Sequence, residues 1–274
     1  QLGMAFGVHR ALDTTGAAIG AVLAFAVLWW IPDGYLTVMV LSFGFSVLGV
    51  ATLGLLVSDR PPRSPDRAVP AADRDRPAFR WRQVAAPGLV RLLVVAGGLG
   101  LLTVGDGFLY LALLDRSGFA THWFPLLYVG TNVVYLSLAI PIGRLADRVG
   151  RAHVLVAGHV ALLAAYVCAA VSWSSVGATL LTLLFLGTFY AATDGIVAAL
   201  AGRLVPESAR ATGIAAAQTT VAVARMVASA AFGVLWYAVG PQFALVIVGT
   251  GLLLALAAAT GSMSRLDARV GAWR

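Results

Sequence analysis

Gly143-Arg144-Leu145-Ala146-Asp147-Arg148-Val149-Gly150-Arg151 crowds three arginines and an aspartate between two long apolar runs. Residues 121–142 lead into it and residues 153–171 lead away. Charge that dense needs water, whereas flanking runs of that length need hydrocarbon. The stretch therefore predicts a tight, wet turn between two membrane-spanning helices. Gly143 and Gly150 are the residues expected to permit the reversal.

The rest of the chain agrees. It is 60% hydrophobic and 11% charged, where soluble domains keep roughly 25% charged residues. Eight runs are long enough to cross a core of about 30 Å: 11–31, 35–57, 89–114, 121–142, 153–171, 176–199, 211–238 and 241–262. Strand-sized alternation is absent, which argues against a β-barrel. The expected class is an all-α membrane protein with eight transmembrane helices, each satisfying its own backbone. Residues 58–88 hold six of the 11 prolines among mixed arginine and aspartate. Such a segment cannot bury enough surface to order itself and reads as a flexible cytoplasmic linker. The expected organisation is 1–57, the linker 58–88, a six-helix part 89–264, and a cytoplasmic tail 265–274.

All 19 basic residues are arginine, and the net charge is +7. Their placement excludes nucleic acid as the reason. With the first residues in the cytoplasm, 17 of the 19 fall on the inner side, leaving Arg116 outside and Arg225 within a span. The positive-inside rule thus places both termini in the cytoplasm, and an arginine- and alanine-heavy chain suggests a bacterial gene and so the bacterial inner membrane. Trp29, Trp30, Trp123, Trp173 and Trp236 fall at the outer ends of spans, as an aromatic belt requires. Cys168 stands alone in an apolar run, so neither disulfide nor metal site can be built on it. No cofactor motif is present. The chain begins at Gln1 and reads as a cut.

The nine-residue turn resembles the signature loop of the major facilitator superfamily of secondary transporters, G-x-L-a-D-r-x-G-R. An internal repeat is consistent with that resemblance. Shifted by 206 residues without gaps, Ala5, Gly7, Ala11, Thr14, Ala18, Ala24, Trp30 and Gly34 meet Ala211, Gly213, Ala217, Thr220, Ala224, Ala230, Trp236 and Gly240. Parallel repeats build the two halves of such transporters. The resemblance then implies that the eight spans are the fifth to twelfth helices of twelve: two from the N-terminal half and a six-helix C-terminal half. Four helices of the same protein would be the missing partners. It also implies a cytoplasmic gate at Gly143, Arg144, Asp147, Arg148, Gly150 and Arg151. Pseudo-symmetry would aim Asp147 at the N-terminus of the first span, where the helix dipole favours an anion and Arg10 could join. The alternative is that these arginines only anchor the inner face.

Charges inside the spans mark candidate sites, since each costs about 2.5–3.5 kcal/mol on insertion scales. Asp106 lies in the third span, Asp194 in the sixth and Arg225 near the middle of the seventh. They are candidates for substrate binding or proton coupling, with Tyr190 one turn from Asp194. The rival reading pairs either aspartate with Arg225 to hold helices together. Asp13 reads as a gate or a helix-end salt bridge with Arg10. His159 reads as packing in a supporting helix. Phe108, Tyr110, Tyr128, Tyr135, Phe189 and Tyr190 are candidate pocket aromatics, of which two or three should reach a cavity. Gly16 and Gly20 permit close helix approach. They also resemble the family's antiporter motif, G-x-x-x-G-P-x-x-G-G, except that Ala21 stands at the proline position and Ala24 and Phe25 at the later glycines. Arg203 to Arg210 reads as a hinge, with Pro206 ending the sixth span and Ser208 capping the seventh.

Function follows as an expectation. The chain should belong to a proton-linked transporter of a small organic solute, possibly exporting it, with the bilayer as its solvent. The alternative is a truncated relative that does not transport and serves as a membrane interaction protein. A membrane enzyme would want a His, Asp and Glu cluster at one interface. The chain has one Glu and four scattered His, so no enzyme and no catalytic residue is expected.

Overall fold

The computed structural model describes the backbone of residues 2–56, 86–117, 120–171 and 176–271, and the side chains at 13, 15–56, 86–116, 120–171 and 176–259. The expected linker, apart from its last three residues, and Trp173 lie outside the described residues. Described residues form helices and no strand. The chain divides into two compact units, Gln1–Arg80 and Trp81–Arg274.

The first unit pairs α1 (Leu2–Trp30) with α2 (Tyr35–Leu56). Asp33 turns the chain between them in the left-handed region, φ 60°, which aspartate tolerates better than most residues. Along α2 apolar side chains are exposed, Phe43 at 71% and Leu55 at 84%. Its Ser46 and Thr52 hydroxyls donate to the carbonyls of Ser42 and Leu48 at 2.8 and 2.7 Å. That is how a helix in lipid keeps its polar groups satisfied.

The second unit holds α3 (Pro87–Gly100), α4 (Asp106–Ser117), α5 (Phe124–Val149), α6 (Arg151–Ala170), α7 (Val176–Thr193), α8 (Ile196–Arg203), α9 (Arg210–Val239) and α10 (Pro241–Gly271). Helix α6 packs against α7 and α10, α5 against α7, and α9 against α3 and α8. Small residues set the closest approaches. A Cβ on Gly187 would come within 2.8 Å of the Thr131 carbonyl in α5, and one on Gly158 within 2.8 Å of Ala192 in α7. In a membrane such contacts replace hydrophobic drive.

Among the described residues, six helical segments are long and apolar enough to cross a membrane, by length and composition: Tyr35–Leu56, Thr121–Val149, Arg151–Ala170, Val176–Arg203, Glu207–Val239 and Pro241–Ala259. The third expected span differs. The third is two helices, α3 and α4, of 14 and 12 residues, about 21 and 18 Å long. Neither crosses alone.

Three local expectations are corrected. Helix α5 runs unbroken through Gly143 to Val149, and Gly150 alone reverses the chain with φ 101° and ψ 134°. The run Arg144-Leu145-Ala146 continues a helix without penalty, so only the exit needs glycine. Ser208 does not cap α9. A 3₁₀ turn, Glu207–Ala209, feeds directly into it, and Ala209 is the N-cap without a side-chain bond. Trp236 is not simply an interfacial residue, because it packs on Phe108 and Phe232 with centroids 5.7 and 5.8 Å apart. Helix α10 continues to Gly271, through positions where the tail was expected to begin.

Candidate functional site

Three helices bring Asp106, Tyr190 and Arg225 together. Asp106 opens α4, where the unpaired amides and dipole of a helix N-terminus favour negative charge. Tyr190 comes from α7, and its hydroxyl donates to the Asp106 carboxylate. Arg225, in the middle of α9, lays its guanidinium over the rings of Phe189 and Tyr190, 5.5 and 5.9 Å from their centroids. Its charge reaches Asp106, although no ion pair within 4 Å joins them among the described residues. Tyr190 therefore touches both charged partners, one through its hydroxyl and one through its ring. The Nε of Arg225 is buried without a hydrogen-bond partner. Cation–π contacts of this kind contribute about 0.5–2 kcal/mol, more when dry.

Close packing places Arg225. Along α9, Thr220, Ala224 and Ser229 lie 3.1, 3.0 and 3.1 Å from where Cβ atoms on Gly97, Gly100 and Gly105 would stand. Three glycines thus let the end of α3 and the segment after it lie against α9. Arg225 follows Ala224 directly and so falls beside the helix interruption.

That interruption, Leu101 to Gly105, leaves backbone groups to be satisfied inside the unit. Leu102 and Thr103 amides donate to Leu99 and Gly100 carbonyls at 3.1 Å each. Beyond them the helix pattern stops. The Val104 amide donates to the Tyr166 hydroxyl at 2.7 Å, and that hydroxyl donates to the Leu102 carbonyl at 2.9 Å. Tyr166 belongs to α6, is 1% exposed, and was not singled out from sequence. A tyrosine amid an apolar helix gives no signal of a backbone partner 62 residues away.

Asp194 sits elsewhere, just after α7, where it accepts a hydrogen bond from the Tyr135 hydroxyl at 2.9 Å. It is exposed. Gly195 follows with φ 77° and ψ −21°, splitting the expected sixth span into α7 and α8. His159 packs as expected, buried, with Nδ1 donating to the Leu155 carbonyl at 2.8 Å. Its ring also meets Phe189 at 5.2 Å, directly behind the cluster. Of the other aromatics, Tyr110 is buried and donates to Thr131 Oγ1 at 2.9 Å. Phe108 joins Phe232 and Trp236, and Tyr128 is exposed.

In the charged stretch Asp147 pairs with Arg151 across the Gly150 reversal at 3.0 Å, while Arg144 and Arg148 are exposed. Asp13 is exposed on α1, and the Arg10 side chain lies outside the described residues. Among the described residues, nothing beyond α1's own backbone and the adjacent residues lies within 4 Å of where Cβ atoms on Gly16 and Gly20 would stand. No group of three or more His, Cys, Asp or Glu with metal-binding spacing exists among the described residues.

Known proteins match this chain in sequence. A model of the Major Facilitator Superfamily matches residues 116–267. The chain is 26% identical over 243 residues to an uncharacterized MFS-type transporter of Methanocaldococcus jannaschii. That alignment covers 86% of this chain and 58% of the relative, so the chain spans little more than half the relative's length. No solved structure matches it. With its charged turn, its apolar helices and a family match over more than half its length, this chain belongs to the major facilitator superfamily.

Proposed function

We propose that the chain forms part of a membrane transporter that moves a small organic solute by alternating access, with Asp106 as the proton-coupling carboxylate. The observation that carries this reading is the Asp106–Tyr190–Arg225 cluster at a helix interruption. An ionised Asp106 balances Arg225 in a setting where water screens little. Protonation removes that balance and weakens the acceptor that holds Tyr190. Arg225 is then left to seek an anion or water, which loosens α4, α7 and α9 from one another. A charge change of this kind can bias two arrangements of a helix bundle.

In the same reading, the chain supplies eight helices, equivalent to the fifth to twelfth of twelve. Residues 1–57 complete the N-terminal half, 58–88 link it, and 89–264 form the C-terminal half, with 265–274 as a tail. The other partners are the bilayer and four helices of the same protein. Arginine placement supports an inner membrane location with both termini in the cytoplasm. The stretch from Gly143 to Arg151 serves as the cytoplasmic gate, where the Asp147–Arg151 pair can exchange partners. Arg10, Asp13, Gly16 and Gly20 form an antiporter-like motif on α1, and solute leaves by exchange with protons. Asp194 and Tyr135 form a second polar pair, assigned to the path and not to the coupling.

The test uses full-length protein in proteoliposomes enclosing a pH-sensitive dye. Ethidium, chloramphenicol and benzoate are added in turn, as a cation, a neutral solute and an anion. The expected result is proton movement with at least one of them, lost in Asp106→Asn and kept in Asp194→Asn. Undiminished proton movement in folded Asp106→Asn would remove the coupling role.

A further inference from the structure

Helix α4 begins where it does because something ends the pattern of α3 and fixes the residues between them. Each residue turns a helix by about 100°. A break displaced by a single residue would therefore rotate Asp106 away from Tyr190 and Arg225. Backbone glycine does not set this break, since neither Gly100 nor Gly105 has positive φ. Among the described residues, the one side chain that bonds to the break's own backbone from another helix is Tyr166. Its hydroxyl takes the Val104 amide at 2.7 Å and gives its proton to the Leu102 carbonyl at 2.9 Å. Asp106 is two residues beyond that bridge.

We infer that Tyr166 is a positioning residue for the Asp106 centre, its hydroxyl fixing the place of the helix break and so holding the carboxylate against Tyr190. This rests on the reading of Asp106 as the coupling group. The hydroxyl does both jobs of a missing helical turn, accepting one amide and donating to one carbonyl. A phenylalanine at 166 would keep the packing and lose both bonds. The side chains that bear on Asp106 are Tyr190 from α7 and Arg225 from α9, while its own charge reaches Tyr110 on α4 and Tyr166 on α6. Of these, Tyr166 bonds the backbone of the break.

The experiment compares full-length protein in nanodiscs with Tyr166→Phe. Tyr110→Phe serves as a matched loss of a buried hydroxyl, since Tyr110 bonds Thr131 instead. Two readouts need no transported solute. One is amide hydrogen exchange at Val104, and the other is the pH midpoint of the Asp106 carboxyl infrared band, assigned by its absence in Asp106→Asn. Tyr166→Phe should speed Val104 exchange about tenfold or more. It should also raise the midpoint by about one pH unit, because the carboxylate loses the Tyr190 donor. Tyr110→Phe should leave both unchanged. A midpoint that stays fixed while exchange quickens would make Tyr166 merely structural and overturn the proposal. Should Tyr166→Phe not fold, the unsubstituted protein decides. A protected Val104 amide supports the bridge, and one exchanging like an unbonded amide overturns it. Persistent solute-driven proton movement in Asp106→Asn proteoliposomes would defeat the coupling reading alone, without altering either readout.

Discussion

The second unit interrupts two helical runs, one between α3 and α4 and one between α7 and α8, and by different means. At the second, Gly195 enters the left-handed region at φ 77° with nothing within 4 Å of where a Cβ would stand. The cause is local to one residue. At the first, no residue has positive φ, and the break is bridged by a tyrosine from α6. Its cause is tertiary. The comparison teaches that two aspartates beside breaks are not equivalent. Asp106 is brought against Tyr190 and near Arg225 by packing, whereas exposed Asp194 meets Tyr135.

The largest expected difference is functional. Coupled proton movement should vanish in Asp106→Asn and persist in Asp194→Asn, and equal loss in both would erase the distinction. Next comes the bridge itself. Tyr166→Phe strands a buried amide and a carbonyl and should destabilise the protein by about 1–3 kcal/mol, read from unfolding of the full-length protein in detergent. Gly195→Ala should cost somewhat less, about 1–2 kcal/mol, because its penalty is backbone conformation without a clash. Gly195→Asn should recover part of that loss, since asparagine tolerates left-handed φ. If asparagine were no better than alanine, the local explanation of the second break would fail. Smallest is the effect at Gly143, which lies within α5 with open space around its Cβ position. Gly143→Ala should be neutral or stabilising by up to about 1 kcal/mol, whereas Gly150→Ala should be destabilising.

Much of the fold was legible because apolar length and charge placement are properties of the chain. Both ends of the first, second, fourth, fifth, seventh and eighth expected spans fall inside helices or within one residue of one. Span continuity was less secure at the third, where a hydropathy run could not show that residues 101–105 leave the helix. The charged stretch identified the family correctly, yet its glycines were misjudged as a pair. Composition signals a turn within a few residues, but φ at Gly150 alone shows where it happens.

For the site, sequence gave the cast and not the arrangement. Asp106, Tyr190 and Arg225 stood out because ionisable or polar groups within apolar runs are costly and therefore informative. That Asp106 would take Tyr190 while Asp194 took Tyr135 could not be read, since the choice depends on how α4, α5 and α7 pack. Tyr166 was invisible for the same reason. A side chain's cost of burial is written in its own chemistry, whereas its hydrogen-bond partner exists only once helices distant in sequence have met. The sequence by itself therefore determined the helical membrane class, the family and the candidate charges. Only tertiary structure decided where one helix breaks and which aspartate meets Tyr190, because both are set by contacts between segments about 60 to 85 residues apart.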